Sequence, residues 1–228
     1  MKKELWRNLP GSKESEQIQM IISDSTVRRL SQYYRTLSHL AESQVEMVSS
    51  ELLSRHIGVT AAQVRKDLSY FGTFGRRGLG YRVRELQKEV ANILGINRIW
   101  NVALIGVGNI GRALLDYDQF RIQGFHIVIA FDNDPQKIGK SFHGVEILDV
   151  ATIPQVLPEK GVEIGIIAVP ARAAQSVLDL LVQGKVKGVL NFAPINLNAP
   201  QGVFVRHQNL TIELEALSFS ITNPYWVK

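Results

Sequence analysis

The sequence predicts an α/β protein in two parts: helices at the N-terminal end, then a parallel sheet with helices on both faces. Three observations predict it. Apolar residues recur at helical spacing up to Gly95, whereas from Trp100 onward short continuous apolar runs alternate with helical stretches. Glycines cluster at 72–80 and again at 106–111. The positive charge is also uneven. Residues 1–95 carry 15 Lys/Arg against 10 Asp/Glu, whereas residues 96–228 carry 11 of each. A chain of 228 residues suits two domains.

Residues 1–22 read as a polar tail, broken at Pro10-Gly11-Ser12 and lacking periodicity. Residues 23–95 form the first domain. Ser25 is placed to cap a helix whose apolar stripe is Val27, Leu30, Tyr34, Leu37 and Ala41. Ser49-Ser50-Glu51 opens a short second helix that Gly58 ends. Thr60 starts a third, and Thr60-Ala-Ala-Gln63 fits a capping box in which the Gln63 side chain reaches back to the cap. Val64, Leu68 and Phe71 face inward on that helix, leaving Gln63, Arg65, Lys66, Ser69 and Tyr70 outward. Alternating glycines and aromatics from Gly72 to Val83 predict a β-hairpin carrying Arg76 and Arg77, with Tyr81 at its end. A helix over 84–94, with Leu86, Val90 and Leu94, stops at the Gly95 boundary.

Residues 96–208 read as a doubly wound sheet, with strands at Val102–Ile105, Ile127–Phe131, Ile164–Val169 and Val189-Leu190 and a helix near 171–182. The first strand runs into Gly106-Val107-Gly108-Asn109-Ile110-Gly111, the G-x-G-x-x-G pattern, and a helix follows. Asp132 ends the next strand 21 residues after Gly111. Strand, glycine loop, helix and acid in this order are the fingerprint of a Rossmann dinucleotide site. Gly106 makes the turn, Gly108 lets the backbone approach a pyrophosphate, and Gly111 lets the helix pack closely. Asp132 suits a ribose 2′-hydroxyl and would repel a 2′-phosphate, which favours NADH and NAD+. The same residues could instead form a tight turn without ligand. Val169-Pro170 and Asn191-x-Ala193-Pro194 end two further strands, where ligands of such sheets sit. Residues 209–228 hold an apolar helix over 211–221 with Leu214, Leu217 and Phe219, stopped by Pro224.

Catalytic groups are missing from this frame. There is no Tyr-x-x-x-Lys, since Tyr117 is followed by Arg121, and the five histidines are scattered without metal-ligand spacing. Cys is absent, which excludes thiol chemistry and disulfides, and no apolar run is long enough to span a membrane. The basic start carries no apolar leader, so a cytoplasmic protein is expected. Helix–turn–helix followed by a basic hairpin is the order of a winged helix. Its third helix would enter the major groove of double-stranded DNA, with Arg76 and Arg77 on the wing reaching the backbone or minor groove. Winged helices also serve as protein-interaction modules, and charge in both helix and wing favours DNA.

Val64-Arg65-Lys66-Asp67-Leu68-Ser69-Tyr70-Phe71-Gly72 and Gly78-x-Gly80-Tyr81 closely resemble the Rex family of bacterial redox-sensing repressors. So do Gly106–Gly111, Asp132-x-Asp134-Pro135, Ala168–Ala171 and Gly188–Pro194, so that the resemblance covers about residues 25–224. It implies a homodimer whose winged helices read a near-palindromic operator and whose Rossmann domains sense the NADH/NAD+ ratio. It implies too that the last helix is exchanged between subunits and reaches the partner's nucleotide site. NADH would then release the repressor from promoters of respiratory and fermentative genes. Tyr117 joins the nucleotide-site residues on this resemblance. One departure stands out: Asn209-Leu210 occupies a place where the family often has an acid and then an apolar residue. If that side chain joins a network with Arg35 or Tyr117, Asn would weaken it. The rival readings are an NAD-dependent dehydrogenase with a helical appendage and a CoA-type nucleotide module without DNA.

Overall fold

The computed structural model describes residues 22–75 and 78–226, which fall into two compact units divided between Gly95 and Ile96. The polar tail, except Ile22, and the wing residues Arg76 and Arg77 lie outside the described residues.

The first unit is α1 (Asp24–Glu42), β1 (Met47–Val48), α2 (Ser50–Ile57), α3 (Ala61–Ser69), β2 (Tyr81–Arg82) and α4 (Val83–Leu94). Ser23, not Ser25, caps α1: its hydroxyl accepts the Thr26 N–H at 3.2 Å. The buried stripe of α1 is Thr26, Leu30, Tyr33, Leu37 and Leu40. This is one residue out of phase with the expected stripe at three positions. Two adjacent tyrosines, 33 and 34, satisfy either phase, and Tyr33 wins because its hydroxyl finds a buried partner in Asp67. Ser49 and Thr60 cap α2 and α3 as their sequences require, and Gly58 and Gly95 end α2 and α4 in the left-handed conformation. Leu30, Tyr33, Leu37, Leu53, Val64, Leu68, Val83, Leu86 and Val90 form this unit's core.

The expected hairpin is absent among the described residues. β2 pairs antiparallel with β1 across Met47–Arg82 and Val48–Tyr81, and residues 72–75 and 78–79 carry no strand. Positive φ at Gly75, Gly78 and Gly80 bends this stretch away from an extended path. At Gly80 the bare backbone lies directly on the Val48 carbonyl, where any side chain would collide.

The second unit runs β3 (Trp100–Ile105), α5 (Asn109–Leu115), α6 (Asp118–Ile122), β4 (Phe125–Asp132), β5 (Ser141–Phe142) and β6 (Val145–Asp149). It continues with α7 (Ile153–Glu159), β7 (Ile164–Ile167), α8 (Ala171–Gln183), β8 (Gly188–Asn191), β9 (Phe204–His207) and α9 (Leu210–Thr222). The sheet order is β5-β6-β4-β3-β7-β8-β9, parallel except where β5 meets β6. The chain thus leaves β3 in one direction and returns to its other side at β7. That reversal opens a crevice at the carboxyl ends of the central strands, the place where such sheets bind ligands. Ala103, Ile105, Ile129, Phe131, Ile167, Leu178 and Leu181 are buried on one face of the sheet, and Val102, Leu104, Ala130 and Ile166 on the other. Sequence reading missed β5, β6 and β9, which are short or carry polar side chains along the edge. None of the helices among the described residues is long and apolar enough to cross a membrane.

Candidate nucleotide site and nucleic-acid face

Three loops meet at the carboxyl ends of β3, β7 and β8. Backbone bonds join them to the sheet: Gly106 N–H to the Phe131 carbonyl at 2.8 Å, Ala168 to Ile105 at 2.8 Å, and Phe192 to Ile167 at 2.9 Å. Gly106 has φ +96°, and a Cβ there would lie 2.6 Å from the Ala168 carbonyl oxygen and 2.8 Å from Val169 Cγ1. The β3 and β7 loops therefore touch only because residue 106 has no side chain. A Cβ at Gly111 would strike the Gly106 carbonyl, so this glycine closes the first turn of α5 onto the loop itself rather than onto the sheet. At Gly108 nothing lies within 4 Å of that position. The loop is thus closed beneath and open above, which suits close approach of a pyrophosphate to its backbone. Val107 is buried, whereas Asn109 and Ile110 are exposed on the open side. Val169 is half-buried; Pro170 and Pro194 are exposed at the rim, with Ala193 buried behind.

Asp132 sits where the fingerprint puts it, but it is already engaged. Oδ2 accepts the Val107 N–H at 2.8 Å and the Lys137 ammonium at 3.0 Å, and Oδ1 accepts the Asp134 N–H at 3.0 Å. Burial works against its charge, yet these donors outweigh it and hold the carboxyl below the usual carboxylate range. A carboxylate offers about four acceptor sites, so roughly one is left for a ribose hydroxyl. The side chain thereby shapes the glycine loop and keeps about one acceptor site open. Its power to repel a 2′-phosphate is weaker than the sequence suggested, because Lys137 lies against it. Its partners Val107 and Lys137 line a cleft of about 250 Å³ together with Arg112, Asp134, Lys140 and Phe142.

Two expected ligands are placed otherwise. Asn191 is fully buried; its amide nitrogen serves the Ala193 and Ile195 carbonyls at 3.1 and 3.0 Å and contacts His207 Nδ1, while its oxygen accepts the Ala193 N–H. With its amide N–H groups committed and the side chain fully buried, it fixes the Ala193-Pro194 loop rather than facing the crevice. Tyr117 lies beyond the C-terminal end of α5, ~10 Å along seven residues from the glycine loop. Its ring stacks edge-on against Phe120 and lines a separate cleft of about 420 Å³ with Arg121, His126 and His143. In that cleft His143 Nε2 stands 2.5 Å from Asp116 Oδ1. Within the described residues of this chain, Tyr117 is not brought to the glycine loop. Asn209 caps α9, its side chain accepting the Thr211 N–H at 3.0 Å. Among the described residues no cluster of three metal-ligating side chains occurs.

In the first unit α3 exposes Arg65, Lys66 and Ser69, with Tyr70 half-buried at its end. Arg65 donates to Ser50 Oγ at 2.8 Å and lies 3.5 Å from Glu51, both at the start of α2. Ser69 Oγ donates to the Lys66 carbonyl. Tyr81 differs from expectation: its ring is 8% exposed, packed in the core, and burial raises its phenol pKa. It anchors the strand that follows the wing and presents no base-reading surface. Gln63 differs as well. The Thr60 half of the capping box forms at 3.1 Å, but the Gln63 side chain does not turn back to the cap. It donates instead to Asp67 Oδ1 at 2.7 Å, one helical turn onward.

Asp67 is the group that sequence reading overlooked. It is fully buried and takes both prongs of the Arg29 guanidinium, Nε at 2.6 Å and Nη2 at 2.8 Å, with the Tyr33 hydroxyl at 2.8 Å. Burial opposes its charge, but the donors Arg29, Tyr33 and Gln63 overcome this and hold the carboxyl low. Burial and the bond to Asp67 push the Tyr33 phenol upward. The overlooked pattern was an acid on the inner face of one helix facing Arg29 and Tyr33, spaced i, i+4, on another.

Comparison with known proteins agrees with both halves of this geometry. A family model described as "Putative DNA-binding protein N-terminus" matches residues 21–69, and one described as "CoA binding domain" matches residues 97–195. The chain is 50% identical over 200 residues to the redox-sensing transcriptional repressor Rex of Carboxydothermus hydrogenoformans, covering 88% of this chain and 96% of that one. It is 46% identical over 200 residues to Rex of Desulforamulus reducens, covering 88% and 95%. The crystal structure of RSP in complex with β-NAD+ and operator DNA superposes with a TM-score of 0.85 at 36% identity, covering 90% of this chain and 95% of that one. RSP in complex with β-NADH superposes at 0.80 with 35% identity, over 90% and 97%. A winged-helix-type basic face and a dinucleotide loop in one chain, in this order and at this identity, make the chain a member of the Rex family of redox-sensing transcriptional repressors.

Proposed function

We propose that this chain binds operator DNA through α3 and the wing, binds NADH or NAD+ on the glycine loop, and leaves the DNA when NADH is bound. The observation that carries this reading is the likeness over nine-tenths of the chain to RSP, whose structures hold operator DNA with β-NAD+ and, separately, β-NADH. Gly106–Gly111 would hold the pyrophosphate and Asp132 with Lys137 the adenosine ribose. Val169, Pro170, Ala193 and Pro194 would flank the nicotinamide. The bound dinucleotide supplies a ring that is cationic and planar when oxidised, neutral when reduced. The CoA name of the matching family model does not outweigh the likeness to RSP, whose structures hold β-NAD+ and β-NADH. The relatives that the chain matches are named as repressors, so we take the chain to be a sensor and not an enzyme, acting in the cytoplasm. The domain limits 23–95, 96–208 and 209–228 follow from the same reading.

α9 supports a dimer. Leu210, Leu214, Leu217, Phe219 and Ile221 are all more than half exposed, and no residue of this helix is buried. Six large apolar side chains exposed on one short helix, beside only Glu213 and Glu215 as charged residues, are expected in water only when a partner covers them. A second copy is the occupant we propose, through exchange of α9 between subunits. The direct test is a gel-shift assay on promoter fragments with NADH and NAD+ added separately. Retention with NAD+ and release with NADH is expected; equal behaviour with both would overturn the reading.

Asp132→Asn should weaken NADH binding about tenfold or more, since hydrogen bonds to a charged group are worth ~1.5–3 kcal/mol. The amide cannot accept both the Val107 and Asp134 N–H groups, so the loop loosens as well. Fluorescence titration checks this. Unchanged NADH affinity would show that the ribose lies elsewhere.

A further inference from the structure

We propose that Asp67 is a positioning residue for sequence recognition: it fixes the pose of α3 against α1, and Gln63 belongs to that grip rather than to the base-reading set. The inference rests on the reading of α3 as the helix that enters the DNA groove. Asp67 collects four donated hydrogen bonds from three residues on two helices, Arg29 and Tyr33 of α1 and Gln63 of α3 itself. The Arg29 fork is bidentate, so it fixes the orientation of the carboxylate as well as its distance. Arg29 is itself held by the Thr26 hydroxyl at 3.1 Å, which leaves the fork little freedom to swing.

Helical geometry turns this grip into a constraint on the opposite face. Asp67 lies ~200° round the helix from both Arg65 and Ser69. Locking residue 67 inward therefore aims those two side chains outward at a set angle, whereas the apolar contacts of Val64 and Leu68 alone would let α3 roll or slide. A buried ion pair is poor value as a stabiliser, because desolvation offsets most of its attraction, and a well-packed apolar set would hold the unit together as well. What an apolar set does not supply is direction. Gln63 is drawn into the same network from the first turn of α3, so its amide nitrogen is turned toward Asp67 rather than outward.

The test uses the full chain, with a duplex carrying the operator recovered in the promoter assay and a scrambled duplex of the same composition. Asp67→Asn keeps the shape and removes the charge. The preference for operator over scrambled duplex should fall about tenfold or more, on the scale of one lost base contact. Binding to scrambled DNA, which depends on phosphate contacts, should change by less than about threefold. NADH titration should match wild type, because the glycine loop belongs to the other unit. Tyr33→Phe removes a single donor and keeps the ring, and should lower the preference by a smaller factor in the same direction. It also decides the matter if Asp67→Asn does not fold. Gln63→Met should behave like Tyr33→Phe, lowering the preference without changing which base is favoured at any position. A folded Asp67→Asn chain that keeps the wild-type preference would overturn the inference. So would a parallel loss on both duplexes, or a Gln63→Met change confined to one base pair. A wild-type chain with no preference for any operator would instead overturn the reading of function on which the inference rests.

Discussion

Alanine at both Arg65 and Lys66 is expected to weaken operator binding by more than an order of magnitude while leaving NADH binding at its wild-type value. Both side chains are exposed on α3, on the side away from the buried Val64, Asp67 and Leu68. Each good contact is worth ~1–3 kcal/mol, so the two together remove roughly 30-fold to 20,000-fold in affinity. The single variants should differ in kind. Arg65 is oriented before DNA arrives, since one guanidinium nitrogen is already committed to Ser50 and Glu51, leaving its other N–H groups for a fork on a base or phosphate. Lys66 has the character of a phosphate ligand, and its loss should weaken binding evenly across sequences and reduce the salt slope by about one. Gel shifts at several salt concentrations separate these outcomes. Wild-type affinity for the double variant would show that α3 does not face the DNA.

What the sequence disclosed and what it hid follow from the range of the forces involved. Caps at Ser49 and Thr60, left-handed stops at Gly58 and Gly95, and buried apolar strands are local, and each could be read from a few adjacent residues. The glycine loop was equally legible, because its three glycines answer to backbone constraints within one turn. The misread residues are those whose partners are distant in the chain. Gln63 looked like a cap or a base reader because nothing nearby shows that Arg29 and Tyr33, more than thirty residues earlier, converge on Asp67. Asn191 looked like a ligand because it ends a strand beside the crevice, yet its amide is consumed by the Ala193 and Ile195 carbonyls and His207. The stretch from Gly72 to Val83 looked like a hairpin because alternation was read as pairing with itself, whereas the strand among its described residues pairs with β1. In each case a polar group or short strand found a tertiary partner that local pattern cannot name.

Removing residues 211–228 should impair dimerisation and abolish NADH-driven release, while monomeric units keep their own folds. The buried cores of both units contain no residue of α9, so neither depends on it for packing. What α9 contributes is an apolar surface that none of the described residues of its own chain covers. Placed over a nicotinamide site by a second subunit, such a surface would favour the neutral reduced ring over the cationic oxidised one, because burying an unpaired charge is costly. That difference is what a switch requires: NADH can shift the balance between DNA-competent and DNA-incompetent dimers only by binding one of them more tightly. Two recognition helices must stand ~34–36 Å apart to read successive turns of a two-fold operator, so a modest rotation between subunits suffices to break the match. Linkage then imposes a quantitative demand. If NADH weakens operator binding by some factor, saturating operator must weaken NADH binding by the same factor. Titrating NADH by fluorescence with and without operator duplex measures this directly, alongside sedimentation of the truncated chain. Equal NADH affinity in both titrations, or a truncated chain that still dimerises and is still released by NADH, would show that α9 is not the element through which the two sites communicate.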